Sequence, residues 1–190
     1  MTTAPTHVAF LRAINVGGHT ARREQLVRAV ESLGLTNVST FLASGNVLFR
    51  LDRTDRTDRD TATLEDSIAE ALGAELGFDV ATFVRSAQDL AVITSRSPFP
   101  GVAADTGTLQ VGLLHRTVRG PARAAVLGLT SGVDQLAVIG REVYWHTTGR
   151  MMDSPLGRGP TLARAVGQET TWRNLNTVRR LAGRMGPATV

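Results

Sequence analysis

Apolar positions recur along the chain at two spacings, which predict a mixture of strands and helices. Residues 7–12 alternate weakly between apolar and small or polar side chains, which indicates a buried strand. Residues 21–33 carry apolar side chains at helical spacing after Thr20, a favoured N-cap residue, and Gly34 follows as a C-terminal stop. The chain is therefore predicted to begin with a strand, a loop and a helix.

A hairpin and a second helix are predicted next. Residues 38–43 and 47–51 are rich in β-forming side chains, and the Ser-Gly-Asn turn at 44–46 joins them. Residues 50–60 repeat an Asp-Arg-Thr unit without apolar content. We interpret them as an exposed loop, because the interleaved arginines compete for the carboxylates that calcium would need. Residues 63–76 again show helical spacing.

The second half of the chain repeats this order of elements. Residues 8–11 and 111–114 each open a strand that leads through a glycine-containing loop into a helix and then a strand pair. The other predicted elements are a strand at 80–84, a short helix capped by Ser86 and Asp89, a helix after Pro121, strands at 136–139 and 142–146, and a helix from 171 to about 185. We predict an α+β fold of two β-α-β-β-α, ferredoxin-like units, with helices on one face of each antiparallel sheet. The predicted units are residues 1–95 and 96–190, packed as one compact unit.

Two residue types are missing, and each absence excludes a class of chemistry. The chain contains no cysteine and no lysine, so all 21 basic residues are arginine. Disulfides, thiolate sites, Schiff bases and a phosphate-binding lysine are thereby excluded. The four histidines lack metal-ligand spacing, and we expect no metal and no cofactor. No stretch approaches the roughly 20 apolar residues that span a bilayer, and no signal peptide is recognised, so we expect a cytoplasmic protein without a membrane partner.

Positive charge is concentrated towards the C-terminus. Residues 1–95 contain nine arginines and twelve acidic residues, whereas residues 96–190 contain twelve arginines and five acidic residues. This asymmetry favours an anionic partner. An arginine-rich composition that merely solvates the surface is the alternative, and the charges alone do not choose between the two.

The loop at residues 12–23 runs from the first strand through a glycine pair into a helix. A helix N-terminus exposes unpaired N–H groups, and Gly17 and Gly18 would let an anion approach the backbone closely. Asn15, His19, Arg22 and Arg23 would add side-chain contacts to that anion. A tight turn without any ligand is the alternative interpretation.

A second candidate segment opens the predicted C-terminal helix. Its apolar side is assigned to the core, and its polar side includes Arg180 and Arg184. Arg173 and Asn174 lie at its predicted start, where they would bind a phosphate or carboxylate, or cap the neighbouring backbone.

Three motifs carry a resemblance to a known family. LRAINVGG at 11–18, SGNVLF at 44–49 and TWRNLNTV at 171–178 together resemble the bacterial family catalogued as domain of unknown function 1697, DUF1697. The resemblance implies a duplicated α+β architecture and no established activity. Where the family usually has glycine, this chain has Ala13, and where it usually has glutamine, this chain has Ala43. The motif positions carried over are Arg12, Asn15, Gly17, Gly18, Ser44, Gly45, Asn46, Thr171, Arg173, Asn174 and Thr177.

Three functional hypotheses remain from the sequence. The first is binding of a phosphate-bearing or other anionic ligand at a site shared by the glycine loop and the start of the Arg173 helix. Its predicted ligand-binding residues are Arg12, Asn15, Gly17, Gly18, Ser44, Asn46, Arg173 and Asn174. Nucleic acid is one source of such phosphates, although 5% aromatic residues argue against sequence-specific recognition of a single strand. The second hypothesis is an enzyme on a small anionic metabolite with His19 as acid–base, and the third is a purely structural role for the motifs.

Overall fold

The computed structural model describes residues 4–15, 17, 20–42, 45–51, 60–102 and 106–186. Its strands are β1 His7–Leu11, β2 Thr36–Thr40, β3 Asn46–Arg50, β4 Thr82–Ser86, β5 Thr108–Leu114, β6 Asp134–Ile139, β7 Glu142–Thr147 and β8 Thr170–Asn174. Its helices are α1 Arg23–Glu31, α2 Thr61–Leu76, α3 Ala87–Ser95, α4 Gly120–Leu127, α5 Pro155–Arg158, α6 Thr161–Val166 and α7 Leu175–Ala182, with a 3₁₀ turn at Met151–Asp153.

The first unit comprises the described residues of Met1–Thr94 and Arg179–Val190. Its sheet has the strand order β2-β3-β1-β4, and every neighbouring pair is antiparallel. Helices α1 and α2 supply Leu26, Val30 and Ile68 to a buried cluster with Ala9 and Phe49 of the sheet. The alternation of β1 therefore directs one set of its side chains into a core beneath the two helices.

The second unit comprises Ser95–Val178 and repeats this plan. Its antiparallel sheet has the order β6-β7-β5-β8, the same order as in the first unit. Helices α4 and α6 pack Val126 and Leu162 against Val143 and Trp145 of the sheet. The predicted duplicated α+β, ferredoxin-like fold is confirmed.

The register of the two sheets also repeats. In the first unit Val8 of β1 pairs with Arg85 of β4, and in the second Val111 of β5 pairs with Arg173 of β8. Each arginine donates from Nη1 to the carbonyl of the residue before it, at 2.8 Å in both cases. Arg85 and Arg173 are thus equivalent positions of the repeat, a relationship that element order alone did not reveal.

Strand β8 corrects one prediction. The helix predicted from residue 171 is wrong, because Thr170–Asn174 forms a strand paired with β5 and helix α7 begins only at Leu175. Thr171 and Arg173 are both buried, as expected of alternate positions on one strand face, and β-branched and aromatic residues at 170–172 favour this conformation. Each repeat therefore contains a fourth strand.

Other boundaries differ less. Helix α1 starts at Arg23 with Arg22 at the N-cap position, so the predicted cap at Thr20 is wrong. Ser86 and Asp89 cap α3 as predicted, with the Asp89 amide donating to the Ser86 hydroxyl at 3.1 Å. Most of the predicted exposed loop at 50–60, namely residues 52–59, lies outside the described residues.

The division into units differs from the predicted one at the C-terminus. The described part of Arg179–Val190 belongs to the first unit, whereas the repeat predicted that all of 96–190 belongs to the second. That the two units form one compact body stays a prediction.

None of the described helices combines the length and the hydrophobicity that a membrane-spanning helix needs.

A buried ion pair fastens α2 to strand β4 at the edge of the first sheet. The Glu65 carboxylate accepts a hydrogen bond from the Val84 amide at 2.8 Å and lies 3.6 Å from Nη1 of Arg85. Both charged side chains are at most 2% exposed. Because an edge strand presents backbone amides without a partner strand, Glu65 satisfies one of them with a charge-assisted bond.

Candidate functional site

The glycine loop and the hairpin leave the first sheet at the same end. The Leu11 amide donates to the Gly45 carbonyl at 2.7 Å, and the Arg12 amide donates to the Ala81 carbonyl at 2.9 Å. These bonds fix the end of β1 against both the hairpin and the start of β4. Leu11 and Gly45, which are 34 residues apart in the sequence, thereby become neighbours.

Asn15 closes the loop that follows. Its side-chain oxygen accepts a hydrogen bond from the Ala21 amide at 3.1 Å, just before helix α1. The Arg22 amide donates to the Gln25 side chain at 3.0 Å, which satisfies one amide at the helix N-terminus. The Asn15 side chain therefore links the end of β1 to the residues just before α1.

A pocket of about 380 Å³ lies between this loop and the hairpin. It is lined by Ile14, Asn15, Ala21, Arg23, Leu26, Thr40, Leu42, Gly45 and Asn46. Among these lining residues Arg23 is the only charged one, and it is the first residue of α1. The partial positive charge of a helix N-terminus adds to that of the guanidinium.

Backbone strain is concentrated around this pocket. Four non-glycine residues among the described ones have a positive φ: Ala13 (58°), Asn15 (58°), Asn37 (50°) and Leu42 (59°). Asn15 and Leu42 line the pocket, and Ala13 precedes the lining residue Ile14. Left-handed backbone at a leucine or an alanine is costly, and it persists only where surrounding contacts enforce it.

Gly45 and Asn46 are structurally required at the pocket wall. A Cβ on Gly45, which has a φ of 73°, would lie 2.8 Å from Ile14 side-chain carbons. The Asn46 side chain is fully buried and donates from Nδ2 to the Phe41 carbonyl at 2.9 Å. The motif residues of the hairpin therefore shape the wall, whatever the pocket binds.

The predicted ligand-binding residues of the first unit divide into two groups. Arg12, Asn15 and Gly17 are exposed, and Asn46 lies buried at the pocket wall. Three further predicted residues, Gly18, His19 and Ser44, lie outside the described residues. The structure brings Asn15 and Asn46 together at one pocket.

Arg173 occupies a different environment from the predicted one. It lies in the middle of β8 and not at the start of a helix, it is 9% exposed, and Nη1 donates to the Thr171 hydroxyl and the Trp172 carbonyl, both at 2.8 Å. Burial lowers the pKa of the guanidinium to about 10. Arg173 is still charged at neutral pH, but the prediction that it presents its charge at a helix N-terminus is wrong.

Asn174 caps helix α7. Its side-chain oxygen accepts a hydrogen bond from the Asn176 amide at 2.9 Å, as the sequence-based alternative of a backbone cap predicted. Asn174 and Arg173 belong to the second unit, whereas the pocket belongs to the first. A site shared by the two segments stays a prediction.

Sequence reasoning did not select Thr40 and Leu42, which line the pocket, or Phe41 between them. It also did not select Arg180 and Arg184, whose guanidinium carbons lie 5.2 and 4.7 Å from the centroid of the Phe41 ring. The available signal was the position of both arginines on the polar side of the C-terminal helix. No group of three or more His, Asp or Glu side chains among the described residues is arranged to hold a metal ion.

Comparison with known proteins places this fold and these motifs in context. A family model described as "Protein of unknown function (DUF1697)" matches residues 4–144. The structure is similar to that of the conserved bacterial protein SP0830 from Streptococcus pneumoniae, with a TM-score of 0.69 and 16% sequence identity over 95% of this chain and 97% of that one. No curated protein matches the chain significantly.

Proposed function

The chain belongs to the DUF1697 family of proteins of unknown function, and we propose that the pocket of its first unit binds a small phosphate-bearing anion. The observation that carries the proposal is the described lining of the pocket: one arginine at a helix N-terminus, two asparagines and a threonine, with no acidic residue among the described lining side chains. This combination repels cations and offers hydrogen-bond donors to an anion.

The size and walls of the pocket support a small ligand. A volume of about 380 Å³ falls at the lower end of the range for small-molecule sites. Ile14, Leu26 and Leu42 supply an apolar part to the lining, which suits a ligand with a phosphate at one end and an uncharged body. The left-handed backbone of Asn15 and Leu42 supports the same proposal, because strain of this kind clusters at ligand sites.

Arg23 provides the sharpest test. Purified protein would be titrated with inorganic phosphate, pyrophosphate and nucleoside monophosphates at low salt by calorimetry and thermal shift. For the ligand that binds, Arg23→Gln should weaken the affinity by about tenfold or more, because it removes a charge-assisted contact. Arg28→Gln is the matched control: Arg28 lies on the same helix, is exposed and pairs with Glu75 at 2.6 Å, and it does not line this pocket.

Two results would contradict the proposal. One is the absence of binding for every phosphate compound at low salt. The other is an equal loss of affinity in Arg23→Gln and Arg28→Gln, which would assign the effect to net charge. Catalysis by His19 is a separate prediction, and His19→Ala should then abolish turnover of the bound compound while leaving its affinity within about threefold.

A further inference from the structure

A pair of arginines is held on one aromatic ring, that of Phe41, which follows β2. The guanidinium carbons of Arg180 and Arg184 lie 5.2 and 4.7 Å from the centroid of the Phe41 ring. Phe41 is only 5% exposed, whereas both arginines are exposed. The ring therefore holds two cations by cation–π attraction while their charged ends stay in contact with solvent.

The ring is itself fixed in position. The Phe41 amide donates to the Asn46 carbonyl at 2.9 Å, and the Phe41 carbonyl accepts from the buried Asn46 side chain at 2.9 Å. The segment that carries the arginines is also fixed. The Arg184 amide donates to the Leu181 carbonyl at 2.9 Å, and the Gly186 amide donates to the Pro5 carbonyl at 3.0 Å. Both arginines are therefore anchored at the backbone and at the guanidinium end.

No carboxylate among the described residues lies within ion-pair distance of Arg180 or Arg184. Because both guanidinium carbons lie near one centroid, they are no more than about 10 Å apart, and their like charges repel. Two fixed cations without a described acidic partner suit an anion that contacts both.

We propose that Arg180 and Arg184, held on Phe41, bind the phosphate groups of a polyanionic ligand. This arginine pair lies outside the pocket of the proposed function and does not depend on it. The planar guanidinium recognises phosphate through paired N–H donors, and fixing it beforehand lowers the entropy lost on binding. Two sources share this chemistry: a free oligophosphate and the backbone of a nucleic acid.

The test uses the full chain and two probes, sodium tripolyphosphate and a mixed-sequence single-stranded oligodeoxynucleotide. Arg180→Gln with Arg184→Gln should weaken binding of the responsive probe by about tenfold or more. The control is Arg123→Gln with Arg164→Gln, two exposed arginines of the second unit whose replacement lowers net charge equally. The control should stay within about twofold of the wild type. Circular dichroism would confirm that both variants fold, and the single variants replace the double one if it does not.

The two probes distinguish the source of the phosphates. For the oligonucleotide, the arginine-pair variant should also lower the slope of log affinity against log salt by about 1.4, since each phosphate contact on a single strand contributes about 0.7. A response to tripolyphosphate alone assigns the pair to a free oligophosphate. The proposal is overturned if neither probe binds at low salt, or if the arginine-pair and control variants lose affinity equally.

Discussion

One substitution should have opposite effects at two positions of the first unit. Ala13 is exposed and has a φ of 58°, whereas Ala74 is exposed within helix α2. Left-handed backbone costs an L-residue roughly 1–2 kcal/mol, and glycine adopts it without that cost. Against this gain, glycine loses about 0.5–1 kcal/mol more conformational entropy on folding than alanine. Ala13→Gly should therefore raise the free energy of unfolding by about 0.5–1 kcal/mol, and Ala74→Gly should lower it by a similar amount.

The measurement must report on the unit that contains both residues. Both tryptophans, Trp145 and Trp172, belong to the second unit, so indole fluorescence follows that unit. Urea unfolding followed by far-ultraviolet circular dichroism, with hydrogen exchange resolved on peptides of β1 and α1, reports on the first. For a chain of this size, a change of 1 kcal/mol moves the melting temperature by about 2–4 °C.

The two variants control for each other because the deleted atom is the same. If Ala13→Gly destabilises the first unit as much as Ala74→Gly does, the left-handed conformation at Ala13 carries no cost and the strain argument for the pocket fails.

Three further substitutions test the packing of the two units. Glu65→Ala should lower the free energy of unfolding by about 3–5 kcal/mol, because it leaves Arg85 buried without its carboxylate. Glu65→Gln should lower it less, because the amide oxygen still accepts a hydrogen bond from the Val84 amide. Thermal unfolding followed by circular dichroism would compare the two variants. Gly112→Ala should displace the indole of Trp172, because three of its ring atoms lie 2.7–2.9 Å from the added Cβ. A shift in tryptophan fluorescence emission would report this displacement, and an unchanged spectrum would contradict the prediction. Arg173→Met should leave the free energy of unfolding at pH 7 unchanged or raise it by up to about 3 kcal/mol, because burial disfavours the charged guanidinium. This cost of the charge is present at every pH below the lowered pKa of about 10. A loss of stability above about 1 kcal/mol would contradict the prediction.

The elements that sequence reasoning placed well are those whose local signals agree. Helix α2 combines helical spacing with Gly77 as a left-handed cap, and the hairpin combines two β-rich runs with a turn. Strand β8 was not predicted because its buried positions are Thr171 and Arg173. An arginine at a buried position removes the alternation of apolar and polar residues that indicates a strand. The apolar spacing of α7 was then extended backwards over the strand.

The residues of the candidate site could be predicted only where a short segment of sequence alone requires their residue types. Asn15 and Gly45 follow from the motifs, because a loop closure and a left-handed turn demand those residue types. The contact of Arg180 and Arg184 with Phe41 depends on how a C-terminal segment returns to the first unit, more than 130 residues along the chain. No spacing within the sequence carries that information.

Successive residues at and after the end of β2 contact two different groups of side chains. Thr40 and Leu42 line the pocket, while Phe41 between them contacts Arg180 and Arg184. The pocket and the arginine pair therefore involve different described residues, and we expect a ligand with several linked phosphates to contact each with a different phosphate.

This separation makes the combined variant informative. If an oligonucleotide occupies both positions, the free-energy losses from Arg23→Gln and from the Arg180→Gln, Arg184→Gln pair should add to within about 0.5 kcal/mol in the triple variant, because the groups contact different phosphates. If the ligands are separate small anions, each variant should affect only its own probe. A triple variant that binds the oligonucleotide no more weakly than the weaker of its parents would show that the strand does not reach both sides of the hairpin.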